Sequence, residues 1–475
     1  MSEKRFFFNG IDGSTGRYLL PPLRLEEVAA LARGDEADEE LLQWLKRWNE
    51  RYAIDDPLRE RVFGENAKDI TKTGWGVIYA PDTPSGIRRK LQPLLDHRRD
   101  QVGWDKKSYV QVFNYKPGQT VREFLSDGGA RPDGAADPDR GVPYHLLLVG
   151  DPEAIPYRFQ YELDVRYSVG RIHFETEDAY ENYAANVIAA ERRPRRPRKV
   201  TFFGPRHRGD LSTESTASKL IELLGRTLIV PPTDWTPEVI AGPKATKAQL
   251  SQILAGRATP ALLLAACHGV FFPDSEEEKR QLEKQGGLIC QDWPGPEDET
   301  GVQRDHYFAA GDLMPDADLR GLVAFLFACY SAGTPDRDNF YDGRTLGKPR
   351  RLAPRPFVSR LCQALLGRPN GALAVVGHVD RAWTASFQGS DKGEGADNFK
   401  NCLRHLLDGY PVGAAMDYFN QAYATLSAQL SNCWEDRHNQ ARVNPAEFAE
   451  IWLANNDARN FVVFGDPAVK LSVPD

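Results

Sequence analysis

Two apolar runs in this chain each stop on a side chain that can take part in covalent chemistry. Ala261-Leu262-Leu263-Leu264-Ala265-Ala266-Cys267 leads into His268-Gly269, and Gly321-Leu322-Val323-Ala324-Phe325-Leu326-Phe327-Ala328 leads into Cys329, followed by Tyr330-Ser331-Ala332-Gly333. Each run has the length and apolar content of a strand buried on both faces. A parallel strand that stops at a polar residue presents it at the carboxyl edge of its sheet, where open α/β folds keep their sites. One strand would offer an imidazole there and the other a thiol, which are the parts of a Cys–His nucleophilic centre. In such a centre Cys329 attacks a carbonyl carbon and His268 moves the proton. Backbone N–H groups at Gly269 and Cys329 hold the developing oxyanion. Ser331, Ala332 and Gly333 leave room beside the thiol. Taken by itself, Cys329 also reads as a core cysteine that ends a strand. The His-Gly strand in the same sheet favours catalysis.

The elements that must position these two residues read as a strand–helix alternation, which implies a parallel sheet. A short strand is expected at 77–80, an amphipathic helix at 85–101, a strand at 109–115 and a helix start at 120–125 with Thr120 as N-cap. A Gly/Asp/Pro/Arg-rich loop follows at 128–141, then a strand at 145–149 and a helix at 176–190. The run Arg192-Arg193-Pro194-Arg195-Arg196-Pro197-Arg198-Lys199 is interrupted by prolines that bar a helix, so it marks a boundary. A second alternating block carries strands at 200–203, 228–230, 372–377 and 461–465, besides the two that end on His268 and Cys329. Strand-Gly-Asp-Pro recurs at 146–152 and 461–467. The expected division is a helical N-terminal extension over 1–75, with helices at 23–33 and 38–52, an α/β subdomain over 76–198 and a catalytic subdomain over 199–475. Two long interruptions, 270–315 and 333–356, follow His268 and Cys329, and loops of such length are usually functional.

Composition excludes several classes. The chain has 475 residues, 41% hydrophobic and 27% charged, with a net charge of −7, which argues against a dedicated nucleic-acid binder. No apolar run approaches the roughly 18 residues of a membrane span, and the N-terminus lacks the apolar region of a signal peptide. The six cysteines show no Cys-x-x-Cys pair, so reduced thiols of a cytoplasmic protein are expected. A zinc site from Cys267, His268, Cys290 and Cys329 lacks ligand spacing, and no Gly-rich phosphate loop with a Walker lysine follows the first strand. No metal or other cofactor is expected, with calcium on acidic loops such as Asp336-Arg337-Asp338-Asn339 as the alternative.

Several motifs in order resemble the caspase-like cysteine peptidases of the gingipain type, over roughly residues 76–475. They are Leu95-Asp96-His97-Arg98-Arg99, His145 to Tyr157, Asp164-Val165-Arg166-Tyr167 with Gly170-Arg171, Cys267-His268-Gly269, Ala328-Cys329, Gly371 to Trp383, 410–415 and 463–467. The resemblance implies an α/β fold of mostly parallel sheets flanked by helices, in two subdomains. It also implies an endopeptidase acting on protein substrates through Cys329 and His268, with Asp164 as the acid that orients the histidine and Trp383 as a pocket wall. Caspase-like enzymes mostly cleave after a charged residue, which demands a counter-charge in the pocket. Asp380 would select Arg or Lys, and the neighbouring Arg381 would select Asp; the basic preference is expected here. The gingipains' extra segment between the Asp-x-x-Tyr and Gly-Arg elements is shortened in this chain. Arg195, Arg196, Arg350 and Arg351 sit in basic, Pro-interrupted segments of the kind an upstream activating protease cuts. By analogy of context, such an enzyme would serve signalling, stress response or antiviral defence. The other reading is an inactive caspase-like scaffold.

Overall fold

The computed structural model describes residues 66–474 apart from 194–195, 257–258, 273–277, 339–350, 388–395 and 439–443, together with short pieces at 5–6, 10–12, 16 and 23–24. Ten strands dominate it: β1 (Trp75–Tyr79), β2 (Val110–Asn114), β3 (His145–Val149), β4 (Ser168–Ile172), β5 (Lys199–Gly204), β6 (Thr236–Ala241), β7 (Leu262–Ala266), β8 (Val323–Phe327), β9 (Ala374–His378) and β10 (Phe461–Gly465). They form one sheet in the order β2-β1-β3-β4-β10-β9-β8-β7-β5-β6. Every neighbouring pair is parallel except β9 with β10, which run antiparallel over five residues from Ala374↔Gly465 to His378↔Phe461. The α/β class is therefore as expected. The two halves of the sheet point in opposite directions across that one junction, so the carboxyl ends of β7, β8 and β9 share an edge with the amino ends of β4 and β10.

Helices cover both faces. Alternate residues of β1 separate into two cores: Trp75, Val77 and Tyr79 meet Leu91, Leu94 and Leu95 of helix α1 (Ser85–Val102) and Tyr180, Tyr183 and Val187 of helix α3 (Glu177–Arg192). Ile78 meets Phe159 and Leu163 of helix α2 (Tyr157–Asp164) on the other face. This is the period-two alternation of a strand with both faces buried. Thr120 caps its helix with a reciprocal capping box to Glu123.

Two expectations change. Residues 228–230 are not a strand: helical segments Leu211–Thr216, Ala217–Ile221 and Glu222–Thr227 fill the preceding stretch, and the strand is β6 at Thr236–Ala241. β6 is an edge strand with exposed Thr236 and Pro237, so it lacks the continuous apolar signature of a central strand. At the N-terminus Leu23–Arg24 pair with Arg5–Phe6 as strand rather than starting a helix, and Gly10–Asp12 add to a small sheet through Gly269–Phe271. The helix expected at 38–52 lies outside the described residues.

Both ends of β10 are tied by buried acids. At its carboxyl end Asp466 accepts from Trp75 Nε1 at 3.0 Å and from Arg98 Nε at 3.0 Å and Nη2 at 2.9 Å. Arg98 also forks onto Glu191 at 2.8 Å from both Nη atoms. Arg98 is 1% exposed and Asp466 0%. Burial pushes the Glu191 carboxyl up, but Arg98 and a hydrogen bond from His97 pull it further down, to about 2. The stability it contributes is present above the ordinary carboxylate range and is lost as pH falls toward that value. Replacing Arg98 by Met leaves two carboxylates without their guanidinium. We expect Arg98→Met to cost about 3–5 kcal/mol in urea unfolding at pH 7. Because Glu191 then titrates like an ordinary or buried acid, the variant's loss of stability between the ordinary carboxylate range and pH 2 should be shallower than that of the parent chain.

Candidate active site

The site lies at the edge where β7, β8 and β9 end. Ala266 pairs with Phe327 and Leu326 with Gly377, so His268 and Cys329, each two residues past a paired position, leave the sheet side by side. Gly269 touches Cys329 through the backbone: a Cβ placed on Gly269 would come within 1.8 Å of the Cys329 carbonyl oxygen and 2.9 Å of its nitrogen. Only glycine allows that approach. The histidine, the cysteine and the two backbone N–H groups singled out in the sequence are therefore brought together.

The acid against His268 is Asp210. Its Oδ2 lies 2.8 Å from His268 Nε2, with both side chains 0% exposed. The same oxygen accepts from Thr213 Oγ1 at 2.7 Å, and Oδ1 accepts the N–H groups of Ser212 and Thr213. Asp210 is the N-cap of the Leu211–Thr216 helix, reached from the carboxyl end of β5, the strand next to β7. A carboxylate fixed by a helix start and a hydroxyl fixes the imidazole in turn, and its oxygen holds a proton on Nε2. The His268 ring also stands edge-on to Trp293, with centroids 5.9 Å apart.

Asp164, expected in that role, sits elsewhere. It closes α2, and its Oδ1 accepts the Val169 N–H at 3.2 Å. It lies at the amino end of β4, and β10, β9 and β8 stand between β4 and β7, a separation of about 19 Å at ~4.8 Å per strand. Burial pushes its carboxyl well above the ordinary range, opposed by the Val169 N–H.

The exit of β9 covers the thiol. Cys329 is 0% exposed. Its Sγ accepts the Ala382 N–H at 3.2 Å. Burial pushes the thiol pKa well up, against the opposing pull of the Ala382 N–H and Arg381, so in this arrangement the sulfur is a neutral thiol. Asp380 and Trp383 flank Ala382 in that same exit of β9. Asp380 Oδ1 accepts the Arg381 N–H at 2.8 Å, and Trp383, 3% exposed, gives its N–H to Asp457 Oδ1 at 2.8 Å. Arg381 forks onto Asp338 at 2.7 and 2.6 Å, so both carboxylate oxygens of Asp338 are bonded to the guanidinium. Among the described residues no group of three or more His, Cys, Asp or Glu could hold a metal ion, and no helix is long and apolar enough to cross a membrane.

Of the processing residues, Arg195 and Arg350 lie outside the described residues. Arg196 is not an exposed cleavage point: it is 8% exposed, and its guanidinium donates to the carbonyls of Arg320 at 2.7 Å and Gly256 at 3.0 Å. The backbone carbonyls it finds there make a buried socket that a basic, proline-interrupted run does not reveal. Arg351 is exposed and pairs by its backbone with Arg337.

No family model matches the chain, and no curated protein does. Among solved structures it is similar to a complex of the pro- and mature domains of RgpB from Porphyromonas gingivalis (13% identity, 84% of this chain and 80% of that one, TM-score 0.46). It is similar as well to a structure described as a protease (13%, 84% and 78%, TM-score 0.47) and to the Arg-specific cysteine proteinase gingipain R (14%, 88% and 80%, TM-score 0.43). Likeness at this level assigns no role to any residue here.

Two variants separate the acids. Asp210→Asn keeps the shape but lets the amide present the wrong tautomer of His268, and we expect the rate of any Cys329-dependent reaction to fall by about 10³–10⁴-fold. Asp164→Asn keeps the acceptor for Val169 and removes a buried ionisable group. The raised carboxyl pKa destabilises the parent as pH rises through it, so at pH 8 the variant should melt at the same or a higher temperature and keep its activity within a factor of about three. Steady-state rates and melting curves on the two variants check both.

Proposed function

We propose that this chain is a cysteine endopeptidase in which Cys329 is the nucleophile, His268 its general base and acid, and Asp210 the residue that orients the imidazole. The observation that carries the reading is the buried Asp210–His268 pair at the end of one strand, beside a cysteine at the end of the next. Removal of the thiol proton by His268 Nδ1 gives the thiolate that attacks the scissile carbonyl, the N–H groups of Gly269 and Cys329 donate to the oxyanion, the imidazolium gives the proton to the leaving amine as the C–N bond breaks, and water then hydrolyses the thioester.

The pocket charges support cleavage after Arg or Lys. Arg381, which would favour an acidic side chain, is already committed to Asp338. Asp380 accepts one backbone N–H and lies 3.5 Å from Arg381 Nη1, so it is the pocket acid with capacity left for a substrate cation. The closed thiol supports an enzyme held latent until a segment is cut or moved, with exposed Arg351 as the described point for an upstream protease. The same closure favours the second reading, a scaffold without activity.

A fluorogenic peptide library scanning the P1 residue, run on the wild type and Cys329→Ala, tests the proposal. We expect cleavage after Arg or Lys that vanishes in Cys329→Ala. Asp380→Asn should raise KM for those peptides by about tenfold or more, the loss of roughly one charge-assisted contact. Absence of cleavage together with failure of iodoacetamide to modify Cys329, after limited proteolysis at Arg351, would favour the scaffold.

A further inference from the structure

A second buried histidine–aspartate pair stands behind the nucleophile. His378 ends β9 and is 0% exposed; Asp457, in the last turn of helix α7 (Pro445–Arg459), is 1% exposed. Both ring nitrogens of His378 face acceptors. Nδ1 is 3.0 Å from the Asp380 carbonyl, and Nε2 is 3.1 Å from both Asp457 Oδ1 and the Asp457 carbonyl. A neutral imidazole has one N–H and would turn a lone pair toward one of these oxygens; an imidazolium satisfies both sides. The Asp457 carboxylate meets the Trp383 N–H as well, and its Oδ2 receives no donor among the described residues, so His378 is its main charge compensation.

The pair is wired to the nucleophile. The Asp380 carbonyl accepts the Tyr330 N–H at 2.9 Å as well as facing His378 Nδ1. The His378 N–H goes to Ser331 Oγ at 3.0 Å, and the Ala332 N–H to the His378 carbonyl at 3.0 Å. Two residues past Asp380, the Ala382 N–H rests on Cys329 Sγ.

We propose that His378 is an imidazolium at neutral pH and that the His378–Asp457 pair is a clamp that holds residues 380–383 in register with 329–332, setting the N–H donor on the nucleophile. These are positioning residues for the site of the proposed peptidase, and the proposal rests on that reading only for its effect on turnover. The charged groups facing His378 are Asp457 from α7 and Asp380 from its own loop, with Cys329 on the neighbouring strand close to both acids. Burial lowers the His378 pKa, and the hydrogen bond and charge of Asp457 outweigh it, leaving it above the ordinary histidine value. The clamp is therefore intact at neutral pH and is lost as pH rises through that raised value. Without the Asp457 charge only the Asp380 carbonyl and carboxylate oppose burial, and the loss comes at lower pH.

The test begins on the full chain labelled with ¹⁵N-histidine, His378 assigned by its disappearance in His378→Gln. We expect both His378 nitrogens protonated at pH 7.5. A His378 with one protonated nitrogen there overturns the proposal, since it means a neutral pair. Asp457→Asn should make His378 neutral at pH 7.5, move the pH midpoint of Cys329 alkylation by iodoacetamide upward, and shift the alkaline limb of kcat to lower pH by a unit or more with little change in KM; Asp457→Glu should restore much of each. An unchanged midpoint and limb with His378 neutral also overturn it. The wild-type titration decides the charge even if Asp457→Asn fails to fold, and alkylation reads the clamp even if no peptide is cleaved.

Discussion

The antiparallel pairing of β9 with β10 is the constraint on which the rest depends. It joins two parallel half-sheets head to tail and brings a strand from the C-terminal end of the chain into the middle of the sheet, between β9 and β4. Five paired residues from Ala374 to His378 fix the register. At one end of β10 that register seats Asp466 under Arg98 and Trp75, which binds the C-terminal strand to α1 and α3 of the first half. At the other end it seats the last turn of α7, and with it Asp457 and Asn460, against His378 and Val379. One strand thus anchors the core at one edge and builds the site at the other.

Around the thiol the charges come in buried pairs: Asp210 with His268, Asp338 with Arg381, Asp457 with His378. Pairs of this kind contribute little net stability, because desolvation offsets the attraction, but removing one partner costs far more than the pair gains. They therefore act as geometric locks. Each joins segments distant in sequence, and together they fix the positions of His268, the loop after Cys329 and the exit of β9. A site assembled this way is preorganised, and the burial that strengthens its pairings also keeps Cys329 protonated. Closure of the site and the raised thiol pKa have the same physical origin.

The sheet's central strands were legible because burial on both faces requires uninterrupted apolar residues, as in β3, β7, β8 and β10. Helix α1 and the Thr120 cap were legible because their signals are local. β6 was not, since an edge strand needs no apolar run. The position of β10 was hidden for a different reason: sequence order says nothing of which strand a C-terminal segment will pair with. That one unknown explains the fate of Asp164. It lies at the correct edge of the sheet, but three strands are interposed between it and β7. Asp210 had a local signal, an Asp followed by Ser212 and Thr213 at a helix start just after a strand. It could be read as an N-cap; its second duty to His268 required knowing that β5 and β7 are neighbours. His378 resembled His268 in ending an apolar strand, and its partner in α7 lies 79 residues away in the chain.

The turn after Cys329 shows why the β9 exit must be held. Tyr330, fully buried, has φ +58°, a left-handed conformation that costs a bulky residue on the order of 1–3 kcal/mol and persists only where surroundings impose it. Here they do: its N–H is bound to the Asp380 carbonyl, the Ser331 N–H to Ala328 and the Ala332 N–H to His378. The strained turn swings the chain away just past the strand and leaves the Cys329 side chain facing Ala382. Relaxing it requires breaking bonds to residues 378–380. Any movement that exposes the sulfur by withdrawing residues 380–383 therefore also removes the support for Tyr330, so exposure of the thiol and the shape of its turn are coupled.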